Sequence, residues 1–179
     1  WMLCDEPGER YTGSMASPLW RYEEPKDEEP RWTDYAGASG LYTRKTDYTN
    51  CVLEGLLALR SGWVEVRVAV DDPQKPGRYA SWRLGNAVPE IVYPYNVLMD
   101  KFGLGDFRKL PQERDEMKLA NELTPFKVIY AGDRAAMFLR EVLVYEFKDL
   151  PERGGFGFHG GGKAVAGLRF RPVRESDLR

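Results

Sequence analysis

The feature that most constrains the fold is the regular recurrence of valine at every second position across residues 63–70. Valine occupies every second position, and Glu65 and Arg67 stand between valines. Since successive side chains of a β-strand point to opposite faces of the sheet, this pattern predicts a half-buried strand. Turn-forming residues 71–77 and a second alternating stretch, 78–84, follow directly. The two stretches predict an antiparallel hairpin.

Three other stretches have the spacing of helices. Residues 50–62 place apolar side chains three and four positions apart, with Asn50 at a position suited to an N-cap. Gly55 weakens such a helix, so a bent strand is the alternative there. Residues 95–102 and 111–123 predict two further helices, of which the second is mostly polar.

The C-terminal part of the chain alternates again. Residues 126–131 and 137–147 flank a Gly-Asp turn and predict a second hairpin, while residues 163–173 predict a closing strand. We therefore expect an α+β fold: a single domain over residues 46–179, with an antiparallel sheet of about five strands and two or three helices. A mostly β sandwich is the alternative.

The N-terminal segment, residues 1–45, differs in composition. Between positions 5 and 30 it holds eight acidic residues against three basic ones, interleaved with four prolines. Charge repulsion and the missing backbone donors of proline oppose regular structure. Trp20, Tyr22 and Trp32 are too apolar for a purely solvated tail, so we expect an extended acidic arm that docks these rings on a partner. A mobile acidic N-terminus is the alternative.

Composition narrows the functional classes. A formal net charge of -2 gives no global field to attract nucleic acid or an anionic membrane. No apolar stretch is long enough to span a bilayer, so we expect a soluble or peripheral protein. With Cys4, Cys51 and the single histidine His159, we expect no disulfide framework, metal site or cofactor. The opening Trp1-Met2 suggests a processed precursor or a piece of a longer chain, compatible with an organelle or with secretion.

The glycine-rich segment 153–163 matches several motifs in part. It fits the spacings GxGxxG and GxxxxGK, but a strand is expected after it instead of a helix, and Ala164 replaces the hydroxyl that binds magnesium. It contains the oxyanion-hole tetrapeptide His-Gly-Gly-Gly without a GxSxG elbow elsewhere. It also resembles the RNA-recognition signature RGFGF with one extra glycine. We retain one candidate RNA- or anion-binding site, formed by Arg153, Phe156, Phe158, His159 and Lys163.

One further stretch has a recognisable pattern. The run Ser-Gly-Trp-Val-Glu-Val-Arg-Val at 61–68, followed by Ser-Trp-Arg-Leu at 81–84, resembles lectin-like β-sandwiches. No glycosidase signature accompanies it, and we make no family assignment. Carboxylates suited to acid-base chemistry, such as Glu65 and Asp71, lie on a strand face or in a turn and are not tied to a pocket.

Two functional hypotheses follow. In the first, the protein is a non-catalytic interaction or structural subunit of a larger protein assembly, which docks on other subunits through its N-terminal arm and sheet surface. In the second, it is an RNA- or anion-binding module that uses loop 153–163. An enzyme acting on a small molecule or glycan is a third and less favoured hypothesis, because no nucleophile-base pair, metal cluster or intact phosphate loop can be assembled.

Overall fold

The structure is a computed structural model that describes residues 2–6, 9–13, 20–23, 32–34, 40–59, 63–72, 77–85, 97–101, 108–109, 123–159 and 163–178. These residues form fifteen β-strands and one short 3-10 helix, Glu175–Asp177. In chain order the strands are β1 (Met2–Glu6), β2 (Glu9–Gly13), β3 (Trp20–Glu23), β4 (Trp32–Asp34), β5 (Gly40–Thr43), β6 (Cys51–Leu59), β7 (Trp63–Val70), β8 (Ala80–Gly85), β9 (Val97–Lys101), β10 (Arg108–Lys109), β11 (Thr124–Ala131), β12 (Arg134–Leu139), β13 (Val142–Phe147), β14 (Gly155–His159) and β15 (Lys163–Pro172).

The described strands pair into three antiparallel sheets. The largest has seven strands in the order β10-β9-β8-β7-β14-β5-β4, and the second has five in the order β13-β12-β11-β6-β15. A small sheet of β1, β2 and β3 lies beside β15. Since β14 of the seven-stranded sheet and β15 of the five-stranded sheet follow each other in sequence, the chain crosses between the two layers at this point.

The two large sheets pack face to face around an aromatic core. The Trp82 ring on β8 lies 5.0 Å from the Phe147 ring on β13, and the Phe126 ring on β11 lies 5.7 Å from the Phe158 ring on β14. Each pair joins the seven-stranded sheet to the five-stranded one. Such packing of two inner faces over a shared core is the architecture of a β-sandwich.

The predicted hairpin at residues 63–84 is confirmed. Strands β7 and β8 pair antiparallel, and Val66 lies opposite Trp82. The valines of β7 are fully buried on one face, as period-two alternation predicts. Glu65 and Arg67 on the other face are buried as well, so the prediction of a half-buried strand is wrong. The second predicted hairpin is present as β11 and β12, and the closing strand is β15. The stretch 137–147, predicted as one strand, is divided by a turn at Arg140 and Glu141 into β12 and β13, which pair with each other.

The prediction of an α+β domain with two or three helices is wrong. The described residues contain no α-helix, and the molecule is the β-sandwich that stood as the alternative. The helix predicted at 50–62 is strand β6, hydrogen-bonded to β11 on one edge and β15 on the other. The helix predicted at 95–102 is strand β9, and residues 111–122 lie outside the described residues.

The burial pattern of β6 gives the physical reason for this correction. Its buried residues come in adjacent groups, at positions 51–53 and 57–58, so both faces of the strand are covered. Adjacent apolar residues also satisfy helical spacing, and the sequence pattern therefore fits a helix and a strand alike. The irregularity of this sheet lies on the neighbouring strand, where the register of β15 shifts between Ala166 and Arg169 and Gly167 has a φ of 56°.

Two further predictions concern the N-terminal segment and membrane spans. Strands β4 and β5 lie within residues 1–45 and belong to the seven-stranded sheet. The division of the chain into an arm, 1–45, and a domain, 46–179, stays a prediction. Within the described part of the chain, no helix has the length and apolar character needed to cross a membrane.

Candidate binding face

The outer face of the seven-stranded sheet carries a cluster of polar and aromatic side chains. Strand register places Arg83 of β8 and His159 of β14 on either side of Glu65 of β7. Residues directly opposite in a sheet share a face and lie within side-chain contact. We refer to this cluster as the polar-aromatic face. It consists of Trp63, Glu65, Arg67, Arg83, His159, Tyr42 and Tyr79.

Glu65 is the buried centre of this face. It is 1% exposed, and its two carboxylate oxygens accept hydrogen bonds from Arg67 Nε and from an Arg83 Nη, each at 3.1 Å. Burial alone would raise the pKa of Glu65, but the charge and hydrogen bond of Arg67, with the charge of Arg83, lower it below its ordinary value. The carboxylate is therefore ionised and held in one orientation.

Arg67 is fixed from both sides by tyrosines. Its guanidinium carbon lies 4.0 Å from the centre of the Tyr79 ring and 5.9 Å from that of Tyr42, and it donates a hydrogen bond to the Tyr42 hydroxyl. Burial raises the pKa of Tyr42 to about 12, so its hydroxyl stays protonated. A Cβ at Gly157 would collide with the Tyr42 ring, so the glycine is what lets this ring lie flat against β14.

The side chains at the Trp63 end of the face are partly exposed. The Arg83 guanidinium carbon lies 4.1 Å from the centre of the half-buried Trp63 ring, and the His159 ring centre lies 5.5 Å from it. The Arg83 side chain is 26% exposed although one of its nitrogens is bound to Glu65. A molecule that approached this end would meet an aromatic ring, a guanidinium and an imidazole together.

The structure separates the residues of the predicted RNA- or anion-binding site. Phe156 and Phe158 are fully buried between the sheets, so neither ring is open to stack on a base. His159 points to the opposite face and joins Trp63, because alternate residues of β14 face opposite sides. Arg153 is exposed before β14, and Lys163 begins β15 in the other sheet.

The predicted docking residues of the arm have different surroundings. Trp32 is 3% exposed, and its ring lies 5.7 Å from Phe158 and 5.8 Å from Phe170, within the core of its own chain. Trp20 and Tyr22 belong to strand β3, which pairs antiparallel with β2. A docking role for those two residues stays a prediction.

The described residues contain no group of three or more histidine, cysteine, aspartate or glutamate side chains placed to hold a metal ion. What they do assemble is a preorganised arrangement of charges beside an aromatic ring. Such a surface can bind a polar ligand that also has an apolar side.

Sequence reasoning found part of this face and missed part of it. The alternation of β7 already placed Glu65 and Arg67 together, opposite the valines. Tyr42, Tyr79 and the role of His159 were missed. Gly157 was a signal that could have been used, since a glycine within a strand often marks a place where another group approaches closely.

Comparison with known proteins gives no match by sequence and several by fold. No family model and no curated protein sequence matches this chain. Its structure is similar to the carbohydrate-binding module CBM66 from Bacillus subtilis, with 15% identity and a TM-score of 0.54 over 78% of this chain and 90% of that one. It is similar to CG-16, a homodimeric agglutinin from chicken liver, with 12% identity and a TM-score of 0.54 over 74% and 99%.

A third similar structure is toad ovary galectin in complex with thio-digalactose. The identity is 11% and the TM-score is 0.52, over 76% of this chain and 100% of the galectin chain. At such identities the likeness shows the fold alone. The chain has a β-sandwich of the kind that galectins and this carbohydrate-binding module adopt.

Proposed function

We propose that this protein is a non-catalytic carbohydrate-binding protein whose ligand binds at the Trp63 end of the polar-aromatic face. The observation that carries the proposal is the Trp63 ring, with Arg83 at 4.1 Å and His159 at 5.5 Å. All three side chains are partly open to solvent, unlike Glu65 beneath them.

The chemistry of a sugar fits this arrangement. A pyranose ring has an apolar side made of C–H bonds and a rim of hydroxyl groups. The indole of Trp63 offers a flat apolar surface for the C–H side of the sugar. Arg83 and His159 offer hydrogen-bonding groups for its hydroxyls. Hydrogen bonds from a charged donor such as a guanidinium are about twice as strong as neutral ones.

The buried part of the face prepares Arg83 for a ligand. Glu65 holds one nitrogen of Arg83 at 3.1 Å and is itself held by Arg67, which Tyr42 and Tyr79 flank. A guanidinium has five N–H donors in a planar fork, and the bond to Glu65 fixes the orientation of that fork. Because the side chain is already ordered, binding loses little further entropy.

The charge state of Glu65 favours binding over glycoside hydrolysis. Hydrolysis by the usual mechanism needs a carboxylic acid of raised pKa that can protonate the leaving group. The pKa of Glu65 is lowered, because Arg67 and Arg83 outweigh the effect of burial. Glu65 therefore positions the arginines and is unsuited to donate a proton.

The fold supports the proposal independently. The structures similar to this chain include a carbohydrate-binding module and an agglutinin. A β-sandwich alone does not specify a ligand, so the weight rests on the side chains of this chain.

A glycan array followed by calorimetric titration tests the proposal. We expect the intact chain to retain at least one class of glycan, and Trp63→Ala to weaken its binding about 30-fold or more, as loss of a central aromatic anchor does. Tyr145→Ala is the matched control, because Tyr145 is 38% exposed on β13 of the other sheet. The proposal fails if no glycan is retained, or if Trp63→Ala binds as tightly as the unmodified chain.

The two hypotheses drawn from the sequence stay predictions. If loop 153–163 bound RNA, replacing Arg153 and Lys163 by alanine would weaken binding. It would also lower the slope of log affinity against log salt concentration by up to about 2. A role as an assembly subunit would be seen as co-migration with partner proteins from the natural source.

A further inference from the structure

A cavity of about 370 Å³ lies at the end of strand β7 that is opposite to Trp63. Its volume falls within the range of about 300–1,000 Å³ found for small-molecule sites. Its walls come from the β7–β8 hairpin and from the segment after β13, and consist of Ala69, Arg78, Tyr79, Ala80, Leu150 and Pro151.

Hydrogen bonds hold both walls of the cavity in place. On the hairpin side, the Asp71 carboxylate accepts the backbone N–H groups of Gly77 and Arg78, each at 3.0 Å. On the other side, the Leu150 N–H donates to the Asp133 carbonyl at 2.9 Å, and the Tyr130 hydroxyl donates to the Pro151 carbonyl. The cavity is therefore preformed, which favours ligand binding.

The backbone around the cavity is strained. Ala69 and Asp149, one beside each wall, both have a φ of 56°. Residues other than glycine rarely adopt this left-handed region, least of all ones without a polar side chain such as alanine. A Cβ at Gly154 would collide with Ala69, so a glycine is needed where β14 begins. Strain of this kind is concentrated at functional sites in proteins.

The lining is mostly apolar and has one charged member. Ala69, Leu150 and Pro151 are apolar, and Arg78 is the charged residue of the lining. Among the residues that the structure describes, no carboxylate forms an ion pair with Arg78. A guanidinium in this position is suited to a carboxylate, which it can bind through two parallel hydrogen bonds.

We infer that this cavity is a second binding site, for a small molecule with a carboxylate and an apolar body. The carboxylate binds Arg78, and the apolar body packs against Leu150 and Pro151. Tyr79 contributes to this cavity and also contacts Arg67 at 4.0 Å, so one residue borders both sites. The inference goes beyond the proposed glycan site and does not depend on it.

Phenylacetate is a suitable probe, with phenylacetamide as its neutral counterpart. Titration followed by ligand-observed NMR should show saturable binding of phenylacetate and at least about tenfold weaker binding of phenylacetamide. Arg78→Ala should weaken phenylacetate binding about tenfold or more, and Arg78→Lys by less, since the charge remains. Arg174→Ala, an exposed arginine next to the 3-10 helix, should have no effect.

Three results would overturn the inference: no saturable binding of phenylacetate, equal binding of the two probes, or unchanged binding to a folded Arg78→Ala variant. Arg78 is exposed, and near-UV circular dichroism confirms that each variant is folded. Trp63→Ala separates the two sites, because it should weaken glycan binding about 30-fold or more and leave phenylacetate binding unchanged. A negative result for one of the two proposed sites therefore does not contradict the proposal for the other.

Discussion

The two faces of strand β7 are almost equally buried and chemically opposite. On the inner face Val64, Val66 and Val68 have no exposed surface, and on the outer face Glu65 and Arg67 are 1% and 8% exposed. Burying valine stabilises the folded state, whereas burying charges costs solvation energy that ion pairs and hydrogen bonds offset only in part. The comparison indicates that the inner face makes the fold stable, while the outer face is retained for another reason, which we take to be ligand binding.

The largest expected effect is on the inner side of the sheet. Phe158 is fully buried and contacts Trp32 and Phe126, so Phe158→Ala should lower the free energy of unfolding by about 3–5 kcal/mol. Chemical denaturation monitored by tryptophan fluorescence measures it. A loss below about 1 kcal/mol would show that the two sheets do not depend on this contact.

The second-largest expected effect is a loss of stability on the outer face of the sheet. Glu65→Gln leaves two guanidinium groups without their counter-charge and should cost about 2–3 kcal/mol, less than a fully buried pair because Arg83 is 26% exposed. The double variant E65L/R67M should regain much of this stability and still lose glycan binding. If the double variant bound glycan normally, the buried ion pair of Glu65 and Arg67 would have no part in recognition.

The pH dependence of stability tests the ion pairs directly. Because the folded-state pKa of Glu65 is lowered, its contribution is complete above its unfolded pKa of about 4.3 and is lost as pH falls through the folded pKa. Unfolding titrations from pH 7 to pH 2 should show the difference between the unmodified chain and Glu65→Gln shrinking at the acid end. A difference independent of pH would mean that Glu65 is not ionised in the fold.

The smallest effect concerns the tyrosine that supports Arg67. Tyr42→Phe removes the hydroxyl that accepts a hydrogen bond from Arg67 and should cost about 1 kcal/mol. The ring remains on Gly157, so packing is preserved. Denaturation midpoints measure the change, with Tyr145→Phe on the other sheet as the control. A loss as large as that of Glu65→Gln would show that the hydroxyl does more than hold Arg67.

The sequence was informative where apolar and polar side chains alternate along a strand. Strands β7 and β8 alternate in this way, and period two identified them and their pairing. Strand β6 lies between two other strands, and its apolar residues occur in adjacent pairs, such as Val52 with Leu53. Pairs of this kind fit a helix equally well, so local pattern could not decide.

The polar-aromatic face was only half predictable for a different reason. Alternation along β7 placed Glu65 and Arg67 on one side, but their neighbours come from strands far away in the sequence. Tyr42 is 25 residues from Arg67, and His159 reaches Glu65 only through the pairing of β14 with β7. Long-range register is set by the packed core as a whole, and no local motif encodes it.

The most direct test of the account is to map the ligand on the protein by NMR. Titration of a glycan retained on the array should shift the Trp63 indole N–H and the resonances of Arg83 and His159, and leave those of Leu143 and Tyr145 on β13 unchanged. Shifts concentrated on β13, or spread over the molecule without reaching Trp63, would contradict the account.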